Sequence, residues 1–268
     1  MRFAALLLSL LALACSSERR ETPSSPPART DPAPAPEPSA PPPEPLPEPR
    51  EVRIQTADGV TLVGDLRAAD PRRPLVVLVH QLGSTRAEWE PLVRRLGPQF
   101  DTFAFDLRGH GESTRRGDEE VAYARFEASD WARLPEDVRA VLRHLREEEN
   151  LEPPRIALVG SSIGSSAAIV AAANEPSVSA VVAISPGRAY RGIDAITPVT
   201  SLGERPLLAV ASRGEPPSAE AASDMARIAP HGEVLLVDGD RHGVAVFEAA
   251  PESLDRVERF LREALAVR

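Results

Sequence analysis

Residues 156–164 read Ile-Ala-Leu-Val-Gly-Ser-Ser-Ile-Gly, and this stretch carries the clearest prediction of the fold. Its four apolar residues predict a buried strand, and the small residues at 165–173 predict a helix directly after it. Between them lies the pattern Gly-x-Ser-x-Gly, in which the central serine occupies a strained turn and the glycines let strand and helix approach closely. Ser162 is therefore the candidate nucleophile, because no neighbouring serine has glycines at both of these positions. The alternative is a Gly- and Ser-rich turn without chemistry.

The surrounding sequence alternates short apolar runs with amphipathic stretches, as an α/β fold requires. Near-continuous apolar runs predict strands that helices cover on both faces. Besides the strand at 156–159, such runs occupy residues 75–79, 102–105, 178–184, 207–211 and 234–237. Residues 52–56 and 60–66 flank Asp58-Gly59 and predict an opening hairpin. The pattern predicts a mostly parallel sheet of about eight strands with helices on both faces.

Two more motifs directly follow predicted strands. Residues 80–84 read His-Gln-Leu-Gly-Ser, and residues 106–113 read Asp-Leu-Arg-Gly-His-Gly-Glu-Ser. With the serine turn, they make residues 51–268 resemble the α/β-hydrolase superfamily. The resemblance is greatest to branches with little or no lid, the dienelactone-hydrolase-like and the serine-aminopeptidase or monoacylglycerol-lipase-like esterases. It implies an α/β-hydrolase fold.

The resemblance also implies a catalytic triad in the chain order Ser, then Asp or Glu, then His. Of the five histidines, only His242 follows the last predicted strand and precedes the last predicted helix, so it is the candidate base. Glu215 is the first carboxylate after the preceding predicted strand and is the candidate acid, although Asp is more usual there. The alternatives are three aspartates further along the chain, Asp224, Asp238 and Asp240.

In this superfamily the loop after the third strand helps to form the oxyanion hole and usually reads His-Gly-x-Gly. By resemblance, the backbone N–H groups of Leu82 and Ile163 would bind the oxyanion of the tetrahedral intermediate. Gln81 replaces the first glycine of the pattern. A backbone donor does not depend on its side chain, so this departure bears on the loop conformation rather than on the mechanism. We expect His80 to shape the loop and not to act as the base.

The length of the inserted segments bears on access to the site. About twenty residues lie between Ser185 and Pro206, too few for a lid of several helices. The polar segment at 117–131 is the other stretch long enough to fold over the site. These lengths predict an open pocket.

Together these residues predict a serine hydrolase that cleaves a carboxylic ester through an acyl-enzyme on a Ser-His-Glu triad. A peptidase or a thioesterase would use the same triad, because the fold does not choose among acyl transfers. A catalytically silent hydrolase-fold module displayed for binding is the remaining alternative, and Gln81 and Glu215 are the departures that favour it. No metal-ligand spacing, phosphate loop or dinucleotide fingerprint occurs, so we expect neither a cofactor nor a metal.

Composition narrows the expected partners. The chain has 268 residues, with 40 acidic and 31 basic side chains and a net charge of −9, and every basic residue is arginine. Nucleic-acid binding rests on concentrated positive charge, so we expect a small-molecule ester and no nucleic acid. The single cysteine, Cys15, excludes a disulfide within the chain. The oligomeric state stays open.

The first fifty residues predict export and tethering. Residues 1–15 combine Arg2, an apolar run too short to span a bilayer and a terminal Ala-Cys, as in a bacterial lipoprotein signal peptide. Cys15 would then be acylated, and the alternative is an ordinary signal peptide that is cleaved off. Residues 16–50 are rich in proline and predict a disordered linker before the hydrolase domain at 51–268. We expect an exported cell-envelope lipoprotein that lipid holds on the membrane, at the outer membrane if the source is Gram-negative.

Overall fold

The computed structural model describes residues 45–267. The predicted signal peptide at 1–15, with Cys15, and most of the predicted linker at 16–50 lie outside the described residues. No helix in the described range is long and apolar enough to cross a membrane.

The first strand starts at Arg50, one residue before the predicted start of the hydrolase domain. The residues just before this strand already contact the domain. The Pro47 carbonyl accepts a hydrogen bond of 2.8 Å from Arg67 Nη1. The last predicted linker residues are therefore in contact with the sheet.

A sheet of ten strands forms the centre of the domain, and two further short strands form a separate hairpin. In chain order the strands are β1 (Arg50–Gln55), β2 (Val60–Arg67), β3 (Leu75–Val79), β4 (Asp101–Phe105), β5 (Arg115–Arg116), β6 (Glu119–Glu120), β7 (Ile156–Ser161), β8 (Val178–Ile184), β9 (Ala189–Tyr190), β10 (Ile193–Asp194), β11 (Leu207–Ser212) and β12 (Gly232–Val237). The order across the large sheet is β12-β11-β8-β7-β3-β4-β2-β5-β6, with β1 paired to β2.

Six neighbouring strands of this sheet are parallel: β12, β11, β8, β7, β3 and β4. The strands β1, β2, β5 and β6 pair in antiparallel fashion at the other side. The strands β5 and β6 have two residues each, whereas the other eight have five or more. The prediction of an α/β-hydrolase fold with a mostly parallel sheet of about eight strands is confirmed.

Helices cover both faces of the sheet. They are α1 (Glu90–Leu96), α2 (Ala128–Trp131), α3 (Leu134–Glu147), α4 (Ile163–Asn174), α5 (Pro216–Ile228), α6 (Val246–Ala249) and α7 (Pro251–Ala264). One core joins the sheet to α3, α4 and α5, and a second core joins it to α1, α6 and α7. Successive side chains of a strand point to opposite faces of the sheet, so one strand contributes to both cores. In β3, Val76 packs in the second core and Val77 in the first, and both are fully buried.

The carboxyl ends of the parallel strands meet at one edge, where ligand sites of open α/β sheets lie. The loop at 80–84 follows β3, and Ser162 follows β7. Glu215 lies between β11 and α5, and His242 lies between β12 and α6. The fold therefore gathers the predicted site residues from four strand ends.

Candidate active site

Ser162 lies at the sharp turn between β7 and α4. Its φ of 52° and ψ of −119° are strained for a residue with a side chain and persist only where the surroundings hold them. A Cβ on Gly160 would lie 2.3 Å from the Gly164 carbonyl oxygen, and one on Gly164 would lie 2.2 Å from the Val79 carbonyl oxygen. The Ser162 N–H donates to the Ile184 carbonyl at 2.8 Å. The two glycines of the motif are therefore required by contact with neighbouring backbone.

Three predicted site residues form one chain of hydrogen bonds. Ser162 Oγ lies 2.7 Å from His242 Nε2, and His242 Nδ1 lies 2.5 Å from Glu215 Oε1. Because an ionised carboxylate only accepts, Nδ1 carries the proton and Nε2 is free to accept from the serine hydroxyl. An arrangement of this kind can activate a serine hydroxyl for attack on a carbonyl carbon.

Among the described residues, none of the three alternative aspartates forms a hydrogen bond or an ion pair with His242. The side chain of Asp238 is 99 % exposed and lies 3.4 Å from Arg213. Asp224, on α5, forms ion pairs with two arginines: Arg227 on the same helix and Arg188, which directly precedes β9. The side-chain hydrogen bonds of His242 are those to Ser162 and Glu215. Of the four carboxylates considered from the sequence, the structure brings Glu215 to the imidazole.

The loop that carries Glu215 lies directly against the histidine loop. The Gly214 N–H donates to the Gly239 carbonyl at 2.7 Å. A Cβ on Gly214 would lie 2.6 Å from that carbonyl oxygen, so a larger residue would push the two loops apart. The Glu215 carbonyl accepts from Ser218 and Ala219 N–H, which fixes Glu215 at the start of α5.

Two serines that the sequence analysis did not single out hold the backbone on either side of His242. Ser212 Oγ, at the end of β11, donates to the Arg241 carbonyl at 2.7 Å. The Gly243 N–H donates to Ser185 Oγ at 2.8 Å, and Ser185 directly follows β8. Each serine lies at the carboxyl end of a strand. From the sequence, that position alone could have marked these serines as residues close to the site.

The loop after β3 turns at Gly83. The Ser84 N–H donates to the Gln81 carbonyl at 3.2 Å, and Gly83 has a φ of 75°, as the third residue of a type II turn requires. Within the described part of the chain, neither the Leu82 N–H nor the Ile163 N–H donates to a protein acceptor. Both predicted oxyanion donors are therefore free to bind an oxygen of a ligand.

The Gln81 side chain joins this loop to the histidine loop. Its Oε1 lies 3.5 Å from Ser161 Oγ, and a Cβ on Gly243 would lie 1.8 Å from that oxygen. The amide group therefore occupies the space that glycine leaves open next to His242. Gln81, which stands where the family pattern usually has glycine, therefore packs against Gly243 of the histidine loop.

His80 is fully buried and uses both ring nitrogens. Its Nδ1 donates to the Gln81 carbonyl at 2.7 Å, and its Nε2 accepts from the Leu107 N–H at 2.8 Å. Burial lowers the pKa of His80 to about 4, so the ring is neutral at pH 7. His80 holds the loop, as expected from the sequence, and is not available as a base.

The inserted segments are short, and two of them meet near the triad. Ser162 is 7 % exposed within its tight turn, whereas the His242 side chain is 37 % exposed, so the triad is reached from solvent through the histidine. Tyr190 of the β9–β10 hairpin lies edge-on to His242, with ring centroids 6.3 Å apart. Arg191, at the tip of this hairpin, lies 5.3 Å from the ring centroid of Trp131 in α2. The two inserted segments therefore touch each other, a contact that segment length alone does not reveal.

The other histidines have different surroundings. His110 stacks on Tyr123, with ring centroids 4.1 Å apart, and His231 Nε2 lies 2.7 Å from Glu204 Oε2. In residues 45–267 no group of three or more His, Cys, Asp or Glu side chains could hold a metal ion.

The sheet order, the serine turn and the three hydrogen-bonded side chains agree with a family comparison. A family model described as the alpha/beta hydrolase fold matches residues 74–240, more than half of the chain. The chain therefore belongs to the alpha/beta hydrolase fold family and is a hydrolase of that fold.

Individual relatives are similar over different shares of the chain. The 2-(acetamidomethylene)succinate hydrolase of Mesorhizobium japonicum is 38% identical over 112 residues, which are 41% of this chain and 35% of the relative. The match therefore covers about a third of the length of that curated relative.

Solved structures of esterases and related hydrolases share the fold. An esterase of Pyrococcus furiosus has a TM-score of 0.62 at 22% identity, covering 81% of this chain and 91% of its own. A dienelactone hydrolase of Anabaena variabilis has a TM-score of 0.61 at 21% identity, covering 82% and 98%.

Proposed function

We propose that the protein is a serine hydrolase that cleaves a carboxylic ester through an acyl-enzyme on Ser162, His242 and Glu215. One observation carries the proposal: Ser162 Oγ, the imidazole and the Glu215 carboxylate form a continuous chain of hydrogen bonds. A binding module that had lost catalysis would have no need to keep a strained serine in contact with a free imidazole nitrogen.

In the proposed mechanism, Ser162 Oγ attacks the ester carbonyl carbon while His242 Nε2 takes its proton. Glu215 holds the Nδ1–H tautomer and stabilises the imidazolium ion that forms. The Leu82 and Ile163 N–H groups bind the oxyanion of the tetrahedral intermediate. His242 then gives the proton to the departing alkoxide, and water attacks the acyl-enzyme with His242 again as the base. The acid product leaves, and the serine hydroxyl is restored.

We propose an ester as the substrate for two reasons. Esterases are among the proteins that share this fold, and the inserted segments of this chain are short. The β9–β10 hairpin and the segment that ends in α2 are the parts that contact one another near the triad. A peptide or a thioester would react by the same steps, so the substrate test has to include them.

We extend the proposal to the chain before the domain. Residues 1–15 would direct export, Cys15 would carry lipid, and residues 16–50 would tether the hydrolase domain to a membrane of the cell envelope. The support is the sequence: a short apolar run that ends in the single cysteine, followed by a proline-rich stretch.

The direct test of substrate class is a panel of p-nitrophenyl esters of increasing acyl length, assayed with the full chain beside a thioester and a peptide p-nitroanilide. We expect release of p-nitrophenol by the wild type and a loss of several orders of magnitude in Ser162→Ala, which should keep the wild-type fold. Faster cleavage of the thioester or the anilide would replace the ester by that substrate. No turnover of any of the three classes would favour a silent module.

A further inference from the structure

Glu88 reaches the oxyanion loop from the turn that follows it in sequence. It lies in a single 3-10 turn, Arg86–Trp89, directly after the loop at 80–84. Glu88 Oε1 accepts a hydrogen bond of 3.1 Å from the Gln81 N–H. No motif pointed to this residue, and the proposed mechanism does not use it.

The hydrogen bond from Gln81 to Glu88 helps to fix the orientation of the Leu82 N–H, because Gln81 belongs to the two peptide groups that precede and include this N–H. The Gln81 carbonyl and the Leu82 N–H belong to one planar peptide group, so whatever fixes the carbonyl also aims the N–H. His80 Nδ1 and the Ser84 N–H both donate to that carbonyl. Glu88 holds the N–H at the other side of Gln81. The residue before the predicted oxyanion donor is therefore held at both of its backbone polar groups.

The second carboxylate oxygen of Glu88, Oε2, is completely buried. It has no hydrogen-bond partner among the described residues, as is also true of Glu215 Oε2. A buried carboxylate oxygen without a partner costs stability, most of all when the group is ionised. Burial raises the pKa of Glu88 to about 7, although the Ser84 hydroxyl and the Gln81 N–H act in the opposite direction.

Few charged groups face Glu88. It lines a cavity of about 410 Å³ beside Gln81, and Glu248 on α6 is the other charged residue of the lining. Arg86 on the same turn pairs with three other carboxylates, Asp65, Asp106 and Glu112. No cation of the described lining therefore compensates the charge of Glu88, and its protonation changes mainly its own hydrogen bond to the loop.

We propose that Glu88 is a positioning residue for hydrolysis: its carboxylate holds the Gln81 peptide and thereby aims the Leu82 N–H at the oxyanion. This inference rests on the proposed function, because it assigns a role within that reaction. A hydrogen bond to an ionised carboxylate is about twice as strong as one to a neutral acceptor. The loop should therefore be held best above pH 7, where Glu88 is ionised, and less firmly when Glu88 is protonated.

The test compares wild type, Glu88→Gln and Glu248→Gln in the full chain. The probe is an alkyl fluorophosphonate, whose phosphonyl oxygen occupies the oxyanion hole when the serine reacts, and the readout is the second-order rate of inactivation. Glutamine has the shape of a protonated glutamate, so Glu88→Gln should resemble the wild type at low pH. Any effect of pH that acts equally on the three proteins cancels from the ratio of rates.

We expect the wild type to react about tenfold faster than Glu88→Gln at pH 8.5 and at nearly the same rate at pH 5.5. With p-nitrophenyl acetate at pH 8.5, the loss in Glu88→Gln should lie in kcat rather than in KM. Glu248→Gln, which lines the same cavity without contacting the loop, should match the wild type at both pH values. Thermal unfolding of each variant checks that the fold is kept.

A ratio of wild type to Glu88→Gln that does not change with pH, whether near one or large, would overturn the positioning role. A purely structural role gives such a constant ratio. A wild type that neither reacts with the probe nor cleaves any acyl substrate would instead overturn the proposed function, and this inference with it. The two failures are thus distinguishable.

Discussion

Glu215 reaches the imidazole with one methylene more than aspartate would have. The longer side chain fits because the backbone of its loop is fixed independently, by the Gly214 hydrogen bond to Gly239 and by the start of α5. The histidine loop is fixed from the opposite side by the hydroxyl groups of Ser185 and Ser212. A shorter carboxylate would have to be brought closer by moving one of these two loops.

We expect Glu215→Gln to lower kcat by about two to four orders of magnitude with little change in KM, because the carboxylate acts mainly on the imidazolium of the transition state. Glu215→Asp should recover part of the loss, since the shorter side chain keeps the charge but falls short of Nδ1. Steady-state kinetics on the best ester measures both. Asp238→Asn and Asp240→Asn are matched controls and should retain wild-type rates. If Glu215→Gln kept its activity and Asp238→Asn or Asp240→Asn lost it, the acid would lie on the histidine loop.

The sequence could indicate some of these residues and not others. Ser162 lies in a local pattern, and the positions of His242 and Glu215 follow from chain order, so all three could be named without a structure. Ser185 and Tyr190 act across strands, and their contacts depend on β8 lying between β7 and β11. That neighbourhood is a tertiary property, and no local pattern encodes it.

Among the loops, the one at 106–113 connects three parts of the domain. Its Arg108 is 2 % exposed and pairs with Asp137 on α3 at 2.5 Å and with Asp58 of the β1–β2 turn at 2.9 Å. Asp106 of the same loop is fully buried and pairs with Arg86. Ser113 Oγ donates to the Asp106 carbonyl and accepts from the Val63 N–H. The motif that carried the family resemblance therefore fixes the fold and takes no part in the proposed chemistry.

Replacement of the buried arginine should destabilise the whole domain. Arg108→Met would leave Asp137, which is 1 % exposed, without its cation, and removing one partner of a buried ion pair costs about 3 to 5 kcal/mol. The control is Arg94→Met, whose pair with Glu90 is exposed, and we expect it to change stability by about 0.5 kcal/mol or less. Urea unfolding followed by circular dichroism gives both values. Equal effects of the two substitutions would contradict the bracing role of the loop.

The whole chain joins a hydrolase domain to an N-terminal region that only the sequence describes. Alternation of apolar runs was enough to predict a mostly parallel α/β sheet, since parallel strands covered on both faces leave a strong pattern. The contact between Arg191 and Trp131 was not predictable, because two loops far apart in sequence form it. The lipoprotein signal and the tether rest on residues 1–50 and stay predictions.

We expect Cys15→Ala to abolish lipid attachment and to change where the protein is found. Growth with a radiolabelled or alkyne-tagged fatty acid, followed by fractionation, measures both. The wild type should incorporate the label and partition with membranes, and the variant should do neither, while its ester hydrolysis after purification stays unchanged. A wild-type protein without label and free of the membrane fraction would contradict the prediction.

The proposed role of Ser162 as the nucleophile is tested by labelling with a fluorophosphonate probe followed by peptide mapping. We expect stoichiometric label on the peptide that contains Ser162, and none on the folded Ser162→Ala variant. Prior treatment with the unlabelled reagent should remove both the label and the esterase activity in the same proportion. Label on a different residue, or no label on a folded wild-type protein that still cleaves esters, would contradict the claim.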